Sequence, residues 1–185
     1  MTILEPVPLS QRRLDWLLIA FFVINLLFVS YLIDIEQIII PNPWHFSYPL
    51  WPPRPVVDLI HWWGQHFDPL LMARPVFFKV TIWLDDLLYG PFYLVATYAY
   101  ARGREWIRLP SIIYAVAMIE GVVIILSEEA FGVYRSPHLG LVIAANASWI
   151  IFPLVILFRM GLREHPFSRP ARLSRPALAG EGARG

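Results

Sequence analysis

Six carboxylic acids of this chain fall where such groups are expensive. Asp85 and Asp86 lie inside the apolar stretch Val76 to Tyr100, Glu120 lies midway along Ser111 to Ser127, and Asp34, Glu128 and Glu129 mark the ends of apolar stretches. A carboxylate near the centre of a bilayer costs roughly 2.5 to 3.5 kcal/mol even on the milder insertion scales, so each needs a partner, a proton or a purpose. A carboxylic acid withheld from water holds its proton to higher pH, while a second acid left ionised accepts a proton or pairs with a cation. Two carboxyls around an apolar cavity are therefore suited to moving a proton across an alkene, or to gripping a protonated amine. Residue types alone leave both open. The plainer alternatives are headgroup and water contacts for Asp34, Glu128 and Glu129, and structural interhelical hydrogen bonds for Asp85 and Glu120. Helical neighbours point about 100° apart, so one of Asp85 and Asp86 is expected to face the cavity. The other is expected to bond a neighbouring helix or a backbone carbonyl.

Asn146 and Trp149 stand three residues apart, on one helical face, with Pro153 a turn further along. An indole face stabilises positive charge through its quadrupole, which would serve a carbocation or an ammonium. Packing or interface anchoring is the plainer role for Trp149. Gly90-Pro91 frees a backbone carbonyl beside the acids and predicts a kink. His61 and His66 are five apart and do not converge as an i, i+4 pair would, so no metal site is expected. Without cysteine, disulfides, thiolate metal sites and a cysteine nucleophile are excluded. The chain carries neither a glycine-rich phosphate loop nor a Ser-His-Asp pattern, and no cofactor is expected.

The elements that must position these groups are apolar. Of 185 residues, 57% are hydrophobic and mean hydropathy is +0.55, too oily for a domain with a polar exterior. A formal net charge of +1 gives a nucleic-acid partner no electrostatic support. Four stretches can cross or nearly cross a hydrocarbon core of roughly 30 Å: Leu14 to Ile33, Val76 to Tyr100, Ser111 to Ser127 and Leu139 to Phe158. The first lacks a small-residue cleavage site and is read as a retained helix ending at Asp34. The expected fold is thus all-α, an integral membrane bundle of four transmembrane helices over residues 1–160. A disordered, Arg- and Pro-rich tail is expected over 161–185.

Arg12, Arg13, Arg102, Arg104, Arg108, Arg159, Arg163, Arg169, Arg172, Arg175 and Arg184 fall on one side of that bundle, against Arg54, Arg74, Lys79 and Arg135 on the other. Positively charged loops stay cytoplasmic, so both termini are expected there. The membrane would be the inner membrane in a bacterium and the endoplasmic reticulum in a eukaryote. The long loop from Ile35 to Pro75 holds a Pro/Trp-rich run that cannot be helix interior and is expected to lie as a lid over the pocket. Val56 to Phe67 is spaced as a short interfacial helix. Gly121, Gly140, Ala144 and Ala147 offer close-packing surfaces compatible with a homodimer.

Several runs resemble a known family. Ala96-Thr97-Tyr98-Ala99-Tyr100, then Trp106 through Tyr114, together with Asp68-Pro69-Leu70-Leu71, resemble the EXPERA family, which gathers sigma-2-receptor-like and sterol-isomerase-like membrane proteins. On its receptor-like side, the resemblance puts Asp85 in the place of the pocket glutamate and Asp34 in that of the first-helix aspartate. On its isomerase-like side, Asn146-Ala147-Ser148-Trp149 with Pro153 resembles the run whose Asn and Trp line the sterol site. Leu88-Tyr89-Gly90-Pro91 and Ser127-Glu128-Glu129 are similar to isomerase runs as well. The isomerase's early His and Glu pair has no counterpart in Leu14 to Asp34.

The resemblance implies an isomerase-like protein binding a sterol or another polycyclic isoprenoid and shifting an alkene by proton transfer through a carbocation. Asp85 would be the principal acid/base, with Glu120 or Asp34 as partner, Trp149 facing the cation and Asn146 orienting a carboxyl or water. Asp34, Asp85, Tyr89, Tyr114, Glu128 and Trp149 would line the ligand. The other reading is a non-catalytic sterol or cationic-amine receptor, in which Asp34 or Asp85 pairs with an ammonium; a cyclase acting on a linear isoprenoid is a third. Membrane lipids are the remaining expected partners.

Overall fold

A computed structural model describes residues 4–171, and outside two short strands its regular structure is helical. Helix α1 runs over Arg13–Ile39, α2 over Arg54–His66, α3 over Pro69–Ala73, α4 continuously over 76–102, α5 over Glu105–Phe131 and α6 over Leu139–Gly161. Three of them, α1, α5 and α6, are long and apolar enough to cross a membrane. Helix α4 carries Lys79, Asp85 and Asp86 in its first half, which lowers its hydropathy. Leu17, Ile24, Leu27, Ile113, Ile151 and Phe158 are exposed on the other three helices, the all-round apolar character of rods that meet lipid.

Helix α1 does not stop at Asp34 as its sequence suggested. It continues to Ile39, and Glu36 and Gln37 in this last stretch are buried. The extension is held by the buried Glu36 cluster described below, in which Glu36 meets Arg74 and His61. Helix α5 likewise begins earlier than Ser111, as a 3-10 turn over Glu105–Ile107 that becomes α-helical at Arg108; Pro110 sits in the first α-helical turn, where its missing N–H leaves no bond unmade.

Two helices are locally underwound. Asn25–Asp34 in α1 and Asp85–Tyr89 in α4 form π-helical turns, and the two stretches lie against each other. The Asn25 amide favours this by donating to the Phe21 carbonyl at 2.7 Å. Pro91 contributes from the other side, since it has no N–H to return to the preceding turn. Such turns widen a helix and often mark functional positions.

The core is aromatic. Fully buried Phe22 of α1 meets Tyr100 edge-on at 5.2 Å between centroids, with Tyr93 and Tyr114 each at 6.2 Å. Helices α1 and α4 pack together along one side of this core, α5 and α6 along the other.

The two ends of the described residues meet beneath it. Strand β1 (Leu4–Pro6) pairs antiparallel with β2 (Ser168–Pro170), Glu5 opposite Arg169. Asp15, fully buried, is held by Arg12 and by Arg159, whose Nε lies 2.8 Å from Oδ1. The ring of buried Phe167 covers both guanidiniums, at 5.1 Å and 5.3 Å. Residues 161–171, part of the segment expected to be disordered, include this ring and strand β2, and Arg159 also donates to the Pro166 carbonyl at 2.8 Å. The rest of the expected tail lies outside the described residues.

The Pro/Trp-rich loop lies over the other end. Its Trp51 indole donates to the Tyr31 carbonyl at 2.7 Å, Phe46 packs edge-on against His61, and Tyr48 donates to Asp58 at 2.6 Å. That last bond pushes the Tyr48 hydroxyl above its ordinary pKa. Beneath the loop, Glu36 accepts from Arg74 Nη2 at 2.8 Å and pairs with His61 Nε2 at 2.8 Å, while Arg74 also donates to the Ile40 carbonyl. All three side chains are buried. This cluster ties α2 and the α3 corner to the end of α1.

Candidate functional site

The π-turns of α1 and α4 bring three acids together. Ser30 Oγ donates to Asp85 Oδ1 at 3.1 Å, so the interhelical bond expected of one member of the Asp85/Asp86 pair belongs to Asp85. Asp34 is buried; its Oδ1 accepts from Gln37 at 3.5 Å and its Oδ2 has no partner. Asp86 Oδ2 is also without a partner. Both Asp85 and Asp86 lie within Coulombic range of Asp34.

Tyr93 and Tyr114 add hydroxyls to this cluster. Tyr114 donates to Tyr93 at 3.4 Å, both are buried, and Asp85 lies within Coulombic range of each. Phe92 stacks on Tyr114 at 4.5 Å and half-buried Tyr89 meets it edge-on at 5.3 Å. Tyr93 was not singled out from the sequence, and neither were Ser30 and Asn25. Their only sequence signal is polarity inside an apolar run.

Other candidates go elsewhere. Glu120 is exposed, and Tyr89 stands within Coulombic range of both Asp85 and Glu120. An enclosed Glu120 beside Asp85 is therefore not what forms: α5 turns that side chain outward. The Asn146 amide donates to its own helix at Val142, 2.9 Å away, rather than to a carboxyl. Trp149 donates through Nε1 to Asn25 Oδ1 at 2.7 Å and packs against the aromatic core, joining α6 to the start of the α1 π-stretch. Glu128 accepts from the Tyr134 backbone at 3.0 Å, closing the end of α5, and Glu129 is buried beside Asp68, which caps α3 through Leu71 at 2.8 Å.

Asp34 is closed in by packed side chains, while Asp85 and Asp86 are partly exposed. Two cavities among the described residues are lined by none of the three. One, of about 130 Å³, lies between the end of α1 and the start of α4, lined by Gln37, Arg74, Phe78, Lys79 and Trp83. The other, of about 470 Å³, is an open hollow by Phe77, Val123, Ser127 and Glu128. Aromatic rings fill the space between the helices where the chamber was expected.

The family is decided by the stretch that carries most of this architecture. Residues 55–160, from α2 to the end of α6, match the model of EXPERA, the EXPanded EBP superfamily. This chain belongs to the EXPERA superfamily. Among EXPERA relatives, it is 27% identical over 161 residues to sigma intracellular receptor 2 of Xenopus tropicalis, covering 80% of this chain and 88% of that protein. To the receptor of Macaca fascicularis it is 32% identical over 127 residues, 68% of this chain and 67% of that one. To that of Homo sapiens it is 31% identical over 126 residues, 67% and 66%. Within the EXPERA match fall Asp85, Tyr89, Tyr93, Tyr114, Glu120 and Trp149; Asn25, Ser30 and Asp34 precede it.

Proposed function

We propose that this EXPERA protein is a membrane-embedded receptor for an amphiphilic guest, a sterol or other polycyclic isoprenoid or a cationic amphiphilic amine, held at Asp34 and Asp85. One observation carries the reading. Asp34 keeps an unpartnered oxygen inside a helix bundle, Asp85 and Asp86 stand within its field, and among the described residues no basic side chain bonds any of the three. A buried acid cluster of this kind is stable only with protons or with a visiting donor. An ammonium or hydroxyl on a greasy body supplies that donor, and its rings would sit against Phe22, Tyr93 and Tyr114. The receptor name of the relatives points the same way.

In this reading α4 is a fourth crossing, both termini share the Arg-rich side, and the Trp51 loop covers the opposite mouth. The protein is an integral membrane protein, and a homodimer is compatible with it. The guest enters by parting packed rings, a motion eased by two facing π-turns.

The test is equilibrium binding of a tertiary-amine amphiphile to the purified chain in neutral detergent, with Asp34→Asn and Asp85→Asn alongside. Saturable binding lost in either variant supports the reading; binding untouched by both refutes it. Catalytic alkene isomerisation is the second reading, favoured by the hydroxyl pair Tyr93 and Tyr114 beside Asp85, which could ferry a proton. Deuterium uptake from heavy water into a polycyclic alkene would reveal it.

A further inference from the structure

The cavity at the loop end of α1 has a chemistry that the acid site does not use. Its wall carries Gln37, and this amide is oriented by two acceptors: Nε2 donates to the Ile33 carbonyl at 3.4 Å and to Asp34 Oδ1 at 3.5 Å. Reversing the amide would turn its oxygen onto both. Gln37 Oε1 is therefore fixed as an acceptor; it is buried, its residue 6% exposed, and it has no partner. A buried acceptor left without a donor costs about 1 to 3 kcal/mol, so a ligand bringing a hydroxyl or N–H would be favoured there.

The same cavity is lined by Lys79, the single lysine of the chain. Among the described residues Lys79 has no ion-pair partner, whereas Arg74, at the cavity wall, is already neutralised by Glu36. The cavity wall thus carries one uncompensated positive charge, and one of its residues holds an unfilled acceptor. Its remaining walls are apolar and interfacial: Ile38, Phe78 and half-exposed Trp83. Indoles favour the headgroup zone, where a lysine one turn into a helix meets lipid phosphate.

We infer that this cavity binds the headgroup of an anionic glycerophospholipid carrying a free hydroxyl, its phosphate on Lys79 and its hydroxyl donating to Gln37 Oε1. A single negative charge matches the single free cation, and a choline headgroup, having no O–H or N–H, cannot serve Gln37. Trp83 and Phe78 flank the glycerol and first acyl carbons. The site is distinct from the guest site and rests, with that reading, on the crossing of the membrane by α4. Gln37 borders both, bonding Asp34 through Nε2 and lining the cavity wall.

The test uses the full chain in nanodiscs of phosphatidylcholine containing either phosphatidylglycerol or phosphatidylmethanol, an anionic lipid whose headgroup lacks a hydroxyl. Retained lipid is read by native mass spectrometry after release. Phosphatidylglycerol is expected to be enriched about fivefold over its bulk fraction, and phosphatidylmethanol less. Lys79→Gln should abolish that enrichment and Lys79→Arg restore it, with amine binding at Asp34 and Asp85 unchanged in both. Equal retention by Lys79→Gln, equal enrichment of the two lipids, or displacement by inorganic phosphate alone would each overturn the assignment. Enrichment that persists while amine binding fails in every sample would instead count against the receptor reading alone.

Discussion

The indole nitrogen of Trp149 donates to Asn25 Oδ1 at 2.7 Å, while the Asn25 amide donates to Phe21 at 2.7 Å, so one buried side chain both joins α6 to α1 and starts the π-stretch that leads to Asp34. A residue expected to face a ligand cation is thereby a clasp between helices. Trp149→Phe keeps most of the ring but leaves Asn25 Oδ1 without its donor. Thermal unfolding in detergent should register a loss of about 1 to 3 kcal/mol. No loss would mean that the bond is not made in the membrane.

Asp85 and Asp34 should behave in the opposite sense. Neither is paired with a basic side chain, so Asp85→Asn and Asp34→Asn remove a costly ionisable group while keeping a hydrogen-bonding amide. Stability should hold or rise while guest binding falls. A large drop in unfolding temperature would assign these acids to the scaffold.

Glu36 is a buried anion shared between Arg74 and His61. Glu36→Gln strands the Arg74 guanidinium, whose charge burial already disfavours, pulling its pKa down against the pull of Glu36. The expected cost is about 3 to 5 kcal/mol. The double variant Glu36→Gln/Arg74→Met should recover part of it in a double-mutant cycle, and limited proteolysis of the Trp51 loop should track the same order.

At the far end, Phe167 covers Arg12 and Arg159 and is itself fully buried. Phe167→Ala should cost about 3 to 5 kcal/mol and expose the 168–170 strand to exopeptidase. Unchanged stability would show that the chain end is dispensable to the bundle.

Glu120 and Asp34 show where reading residues along the chain stops. Uninterrupted apolar runs dictate membrane helices by length alone, so α1, α5 and α6 were legible to within about six residues at each end, and so was the short helix α2. The family runs around Tyr98 and Trp106 were legible too, because a linear pattern suffices to carry them. Whether an acid faces protein or lipid depends on helix rotation and on local winding. Two π-turns gather Asp34, Asp85 and Asp86, while an ordinary α5 turns Glu120 away. Partners distant in sequence, such as Asn25 with Trp149, Glu36 with Arg74 and Asp15 with Arg159, leave no periodic trace. They arise only when packed helices must satisfy every buried polar group, a condition imposed in three dimensions.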